Sequence, residues 1–145
     1  MQKTLVTIPI CVEQRMDCEK KRILIVDDEE DLTWSISKRL VKDGDSLEVT
    51  CTNSGNNALE ILSKFKFDIM VTDLRMPGVS GLQLVNMVKN RYPQIRIIVM
   101  TAYGSIEVKE VLETLGKIGY IEKPFEINDL RELIYTSLDE KQECV

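Results

Sequence analysis

The chain has 145 residues and a net charge of −5, with 24 acidic against 19 basic side chains. That length suits one domain with a sizeable core, and the acidic balance gives no support to a nucleic-acid-binding surface. No apolar run approaches the roughly 18 residues of a membrane-spanning helix, and the absence of histidine removes zinc sites of the usual kind.

Residues 1–21 form an N-terminal extension. It lacks the long apolar core and small-residue cleavage site of a signal peptide, so the chain reads as cytoplasmic. Leu5-Val6-Thr7-Ile8 could be a short strand, but Pro9 favours an edge or irregular segment. The mixed polar stretch Glu13 to Lys21 is equally compatible with a disordered tail. From Ile23 onward strand and helix signals alternate, the pattern of a parallel sheet with helices on both faces.

The first strand is Ile23-Leu24-Ile25-Val26. Leu32, Ile36 and Leu40 recur every four residues and predict a first helix ending near Asp43-Gly44. Leu47 to Cys51 reads as a half-buried second strand. Ser54 caps a second helix, whose inner face carries Ala58, Leu59, Ile61 and Leu62, with Ile61 and Leu62 nearest the core. Asp68 to Thr72 is the third strand, and the next helix carries Leu82, Leu84, Val85 and Val88 before Pro93 stops it. The fourth strand is Ile95 to Met100, with a helix from about Ser105 to Leu115 that ends at Gly116. Ile118 to Ile121 is the fifth strand, and a last helix presents Leu130, Leu133, Ile134 and Leu138. Residues 139–145 are left as a C-terminal tail.

Cys11, Cys18, Cys51 and Cys144 make no C-x-x-C pair, and disulfides are not expected. Cys51 is expected to be a small buried hydrophobe of the second strand. Trp34 lies about 200° around the first helix from Leu32 and Ile36, off the core stripe. It either packs against the N-terminal extension or serves as a partner hot spot.

Asp27-Asp28, Asp73, Thr101 and Lys123-Pro124 each end an apolar strand. In a parallel sheet, ligands bind in the crevice beyond the carboxyl ends of the strands, so these groups converge on one rim. Carboxylates a few ångströms apart repel by about 4 kcal/mol per close pair at an effective dielectric near 20. Such a cluster calls for a cation, and hard divalent ions favour carboxylate, carbonyl and water oxygens. A carboxylate can also act as a nucleophile and form an acyl phosphate. Singly, these features mean little: Asp27 to Asp31 could simply complement a helix dipole, Thr101 could cap the next helix, and Lys-Pro is common in loops. Their conjunction at four strand ends is what counts.

With Met76-Pro77-Gly78 and Gly81 behind the third acid, this set resembles the receiver domain of two-component response regulators, over residues 22–138. Thr101-Ala102-Tyr103-Gly104-Ser105 is most similar to the receivers of nitrogen-regulator-type activators. The resemblance implies a flavodoxin-like α/β fold, a doubly wound five-stranded parallel sheet in order 2-1-3-4-5 with five helices. It implies Asp73 as phosphoacceptor, with Mg²⁺ (Mn²⁺ as an alternative) held by Asp28, Asp73 and the Arg75 backbone carbonyl, and by Asp27 directly or through water. Lys123 would pair with the phosphoryl oxygens, Thr101 would hydrogen-bond one of them, and Thr101 with Tyr120 would form the switch. The implied donor is a sensor histidine kinase or histidine phosphotransfer protein, and a downstream effector would bind the face of helix four, strand five and helix five. Neither nucleic acid nor membrane is implied as a direct partner.

A receiver promotes its own phosphorylation and dephosphorylation without turning over a separate substrate. Nitrogen-regulator-type activators continue into an ATPase and a DNA-binding module, whereas this chain stops at Val145. A stand-alone phosphoacceptor switch is therefore the expectation, with a receiver fragment of a larger activator or a phosphorylation-independent interaction module as alternatives. Lys117 and Ile118-Gly119 depart from the family's small and polar residues beside the output face, which leaves the output partner open. A dinucleotide enzyme is disfavoured because acids, not glycines, follow the first strand. An aspartate-nucleophile phosphatase is disfavoured because Arg75 stands where its second acid would be.

Overall fold

The computed structural model describes residues 20–42, 47–76, 78–102, 106–116 and 118–143. Strands and helices alternate as β1 (Lys21–Val26), α1 (Glu30–Lys42), β2 (Leu47–Thr52), α2 (Gly55–Lys64) and β3 (Ile69–Asp73). They continue as α3 (Gly81–Arg91), β4 (Arg96–Thr101), α4 (Ile106–Thr114), β5 (Ile118–Glu122) and α5 (Ile127–Glu143). All neighbouring strands run parallel, in the order β2-β1-β3-β4-β5. This is the flavodoxin-like receiver architecture expected from the motifs.

The central strands are continuous apolar runs because helices cover both faces of the sheet. Alternate residues then sort into two cores. Leu24, Val26, Met70, Ile97 and Val99 pack with Ala58 and Leu62 of α2, Leu84, Val85 and Val88 of α3, and Leu112 of α4. On the opposite face Ile23, Ile25, Ile69, Val71, Ile98 and Met100 meet Ile36 and Leu40 of α1 and Leu130, Ile134 and Leu138 of α5.

Local signals fix the helix starts. Ser54 Oγ accepts the Asn57 amide at 3.1 Å, and Ser80 forms a reciprocal capping box with Gln83, which satisfies amides the helix cannot. Two expected burials are corrected. Ile61 is half-buried, because the phase of α2 turns Ala58 and Leu62 inward instead. Cys51 is exposed rather than buried, and its strand β2 lies at the edge of the sheet. There the thiol donates to the Thr33 carbonyl at 3.6 Å. The final helix continues to Glu143, past the expected boundary at 138. The N-terminal strand, the first helix's stop at Asp43-Gly44, Ser105 and Lys117 lie outside the described residues. Among the described residues, no helix is long and apolar enough to cross a membrane.

Candidate functional site

The carboxyl ends of β1, β3, β4 and β5 open onto one crevice, and the backbone fixes what projects into it. The Asp27 amide donates to the Thr52 carbonyl at 3.1 Å, which extends the β1–β2 ladder one residue beyond Val26. Asp27 is fully buried. Its Oδ1 accepts the Glu29 amide at 2.9 Å, closing the turn that launches α1. Asp73 ends β3 and is also buried, with Oδ1 accepting the Arg75 amide at 3.2 Å. The Thr72 hydroxyl donates to the Asp73 carbonyl at 3.0 Å.

The loop after Asp73 folds back tightly. Gly81 opens α3, and its amide donates to the Leu74 carbonyl at 3.0 Å. A Cβ at this position would collide with the Asp73 carbonyl oxygen and the Leu74 Cα. Glycine is what lets the helix approach the acid's backbone so closely. Gly78, at φ +81°, makes the left-handed turn in the same loop.

Lys123 is placed by its own amide, which donates to the Thr101 carbonyl at 2.7 Å and so continues the β4–β5 ladder. Its ammonium reaches back across the crevice to three acids. Nζ donates to Asp27 Oδ2 at 2.8 Å, to Glu29 Oε1 at 2.8 Å and to Asp73 Oδ2 at 3.2 Å. Burial by itself would lower the Lys123 pKa, but the bonds to Asp27 and Glu29 and the charges of Asp27 and Asp73 raise it above its ordinary range. Burial dominates at Asp27 and pushes its carboxyl upward, against the Lys123 bond and the Glu29 amide, which pull it down.

The structure thus brings Asp27, Asp73, Thr101 and Lys123 together. Asp28 is exposed and does not belong to the carboxylate group, which consists of Asp27, Glu29 and Asp73 with oxygens within 4.8 Å of one another. Glu29 was not among the residues expected here. In a run of consecutive acids, only the turn built on Asp27 Oδ1 decides which side chain faces inward. The acidic pocket offers the hard oxygen donors that Mg²⁺ takes.

Tyr120 is half-buried on β5, packed against the core beneath α2 to α4. It pairs with Val99 across the β4–β5 ladder, so Thr101, two residues further along β4, lies on the same face of the sheet. Lys109 Nζ sits 5.3 Å from the ring centroid, and the tyrosine hydroxyl is buried with no hydrogen-bond partner among the described residues.

The model of the response regulator receiver domain matches residues 23–135. The chain belongs to the response regulator receiver family. It is 33% identical over 119 residues to the DNA-binding transcriptional regulator NtrC of Klebsiella pneumoniae, covering 82% of this chain but 25% of that protein. It is 30% identical over 114 residues to sporulation initiation phosphotransferase F of Bacillus subtilis, covering 79% of this chain and 90% of that one. Among solved structures, a CheY-like response regulator receiver domain protein from Methanospirillum hungatei superposes with a TM-score of 0.80 at 28% identity, covering 88% of this chain and all of the other. Receivers are signalling modules that interact with histidine kinases or phosphotransfer proteins. The chain spans 25% of the length of the NtrC relative.

Proposed function

We propose that this receiver accepts a phosphoryl group on Asp73, from a phosphohistidine protein or a small donor such as acetyl phosphate. The observation that carries the reading is Lys123 Nζ bonded at once to Asp27 and Asp73 on the rim of the sheet. An Asp73 carboxylate oxygen attacks phosphorus and the new O–P bond gives an acyl phosphate; acetyl phosphate then loses acetate as its P–O bond breaks, and in phosphohistidine the P–N bond breaks. Its electron pair leaves with the imidazole nitrogen, which takes up a proton. Lys123 and the Thr101 hydroxyl then hold the transferred phosphoryl oxygens.

Asp27, Asp28, Asp73 and the Arg75 carbonyl are the proposed Mg²⁺ ligands. Asp28 enters from the solvent side, because it is exposed. When bound, the ion neutralises charge on the phosphoryl oxygens, and most of the catalysis in such transfers is positioning and charge neutralisation. Thr101 and Tyr120 couple the site to the face of α4, β5 and α5, where an effector binds. The reading holds whether the chain acts alone or within a longer regulator. The complete acid, hydroxyl and amine set favours it over a phosphorylation-independent module.

Intact-mass analysis after incubation with acetyl phosphate and Mg²⁺ tests the reading. Wild type should gain one phosphoryl group and Asp73→Asn none. Equal uptake by both would remove Asp73 from the role.

A further inference from the structure

We propose that Glu29 is a displaceable counter-ion, holding Lys123 at rest and yielding its place when a phosphoryl group reaches Asp73. This rests on the phosphoacceptor reading above and concerns a residue to which that reading gives no part. An ammonium group has three N–H donors. All three are taken, by Asp27 Oδ2, Glu29 Oε1 and Asp73 Oδ2. Lys123 can bond a phosphoryl oxygen only by releasing one of these partners.

The three bonds are not equally easy to give up. The Asp27 side chain is 0% exposed and the Asp73 side chain 10%, against 61% for Glu29. Releasing Asp27 would take a charged hydrogen bond from a fully buried carboxylate oxygen, which costs more than the same loss in water. Asp73 carries the incoming group, and with Oδ1 as the attacking oxygen its Oδ2 stays as the acyl carbonyl beside Lys123. Glu29 can swing into water at little cost, and its backbone need not move, because its amide remains bonded to Asp27 Oδ1.

The phosphoryl group therefore competes with the Glu29 carboxylate for one donor of Lys123. Exposed ion pairs of this kind contribute little, so removing the charge should tighten phosphoryl binding by about two- to fivefold.

The experiment titrates beryllofluoride, a phosphoryl mimic, into the wild-type chain and Glu29→Gln at saturating Mg²⁺ by calorimetry. Mg²⁺ alone is titrated in parallel. Glu29→Gln should bind beryllofluoride about two- to fivefold more tightly, and the gap should close in about 1 M salt, where exposed charges are screened. Unchanged or weaker beryllofluoride binding would overturn the proposal. A gap that survives high salt would assign the effect to shape rather than charge and overturn it too. A loss of about tenfold or more in Mg²⁺ affinity would make Glu29 a ligand of the ion instead of a counter-ion. Wild type that binds Mg²⁺ but no beryllofluoride would sink the phosphoacceptor reading itself, and this inference with it.

Discussion

Lys123 Nζ lies 2.8 Å from Asp27 Oδ2, a side chain with no exposed surface. The pair spans the crevice from the end of β5 to the end of β1, so the fold supplies its own cation to the deepest acid of the cluster. Carboxylates crowded within 4.8 Å would otherwise repel strongly. The resting site is thus only partly neutralised, one ammonium against three carboxylates, and any cation that enters finds the acids already oriented.

Lys123→Met should destabilise the metal-free protein by about 3 kcal/mol, the scale for removing one partner of a buried pair. Added Mg²⁺ should narrow the gap, since it restores positive charge to the same acids. The pH dependence has a definite sign. Because the Lys123 pKa is raised above 10.5, its contribution is fully present below that value and is lost as pH rises through the higher folded value. Chemical denaturation of both proteins, with and without Mg²⁺, checks this. A deficit that Mg²⁺ leaves untouched would separate Lys123 from the acid cluster.

Gly81→Ala should cost about 3 kcal/mol. The new methyl meets the Asp73 carbonyl and the Leu74 backbone, and neither can rotate out of the way as a side-chain tip could. The unfolded-state gain of about 0.4–1 kcal/mol from replacing glycine is too small to offset it. Because the strain falls on Asp73, acetyl phosphate labelling should slow as well. A stable, fully labelled Gly81→Ala protein would mean that α3 can retreat from the acid without consequence.

Trp34 is 62% exposed on α1, with Lys38 Nζ 4.7 Å from its ring centroid. Nothing in the described core depends on it, so Trp34→Ala should change stability by less than about 0.5 kcal/mol. Exposed tryptophans dominate many interfaces, at 2 kcal/mol or more apiece in rough terms. Transfer from a histidine phosphodonor should therefore fall about tenfold or more, while acetyl phosphate labelling stays at the wild-type rate. Equal slowing of both donors would point to damage at the site and not to a lost docking contact.

Positions at strand ends were legible in the sequence because burial leaves its mark there. Ile23 to Val26 and Ile69 to Thr72 are buried throughout, so these runs stop where the crevice begins, and Asp27 and Asp73 follow directly, while Lys123 comes just after the half-buried edge strand β5. The choice between Asp28 and Glu29 was not legible. Both are acids in one turn, and a backbone bond from Glu29 to Asp27 Oδ1 sets which carboxylate reaches Lys123. Cys51 misled for a different reason. A strand's residue types report its propensity, whereas its exposure depends on lying at the sheet edge, which is a property of the whole topology.

The Tyr120 hydroxyl is buried without a hydrogen-bond partner among the described residues. Burying such a group costs about 1–3 kcal/mol. Burial accordingly pushes its pKa up, with Glu122 adding to the rise. Tyr120→Phe should therefore be neutral or stabilising by about 1 kcal/mol in the unphosphorylated protein. The ring itself keeps its packing and its contact with Lys109. If the hydroxyl finds a partner only after the ring moves, the same variant should weaken the response to beryllofluoride. That response is read as altered amide exchange over residues 118–122 of β5. A two-state switch biased by the hydroxyl predicts both effects together. Destabilisation of the resting protein by Tyr120→Phe would show that the hydroxyl is already satisfied there, and the switch would have to draw its bias from Thr101 alone.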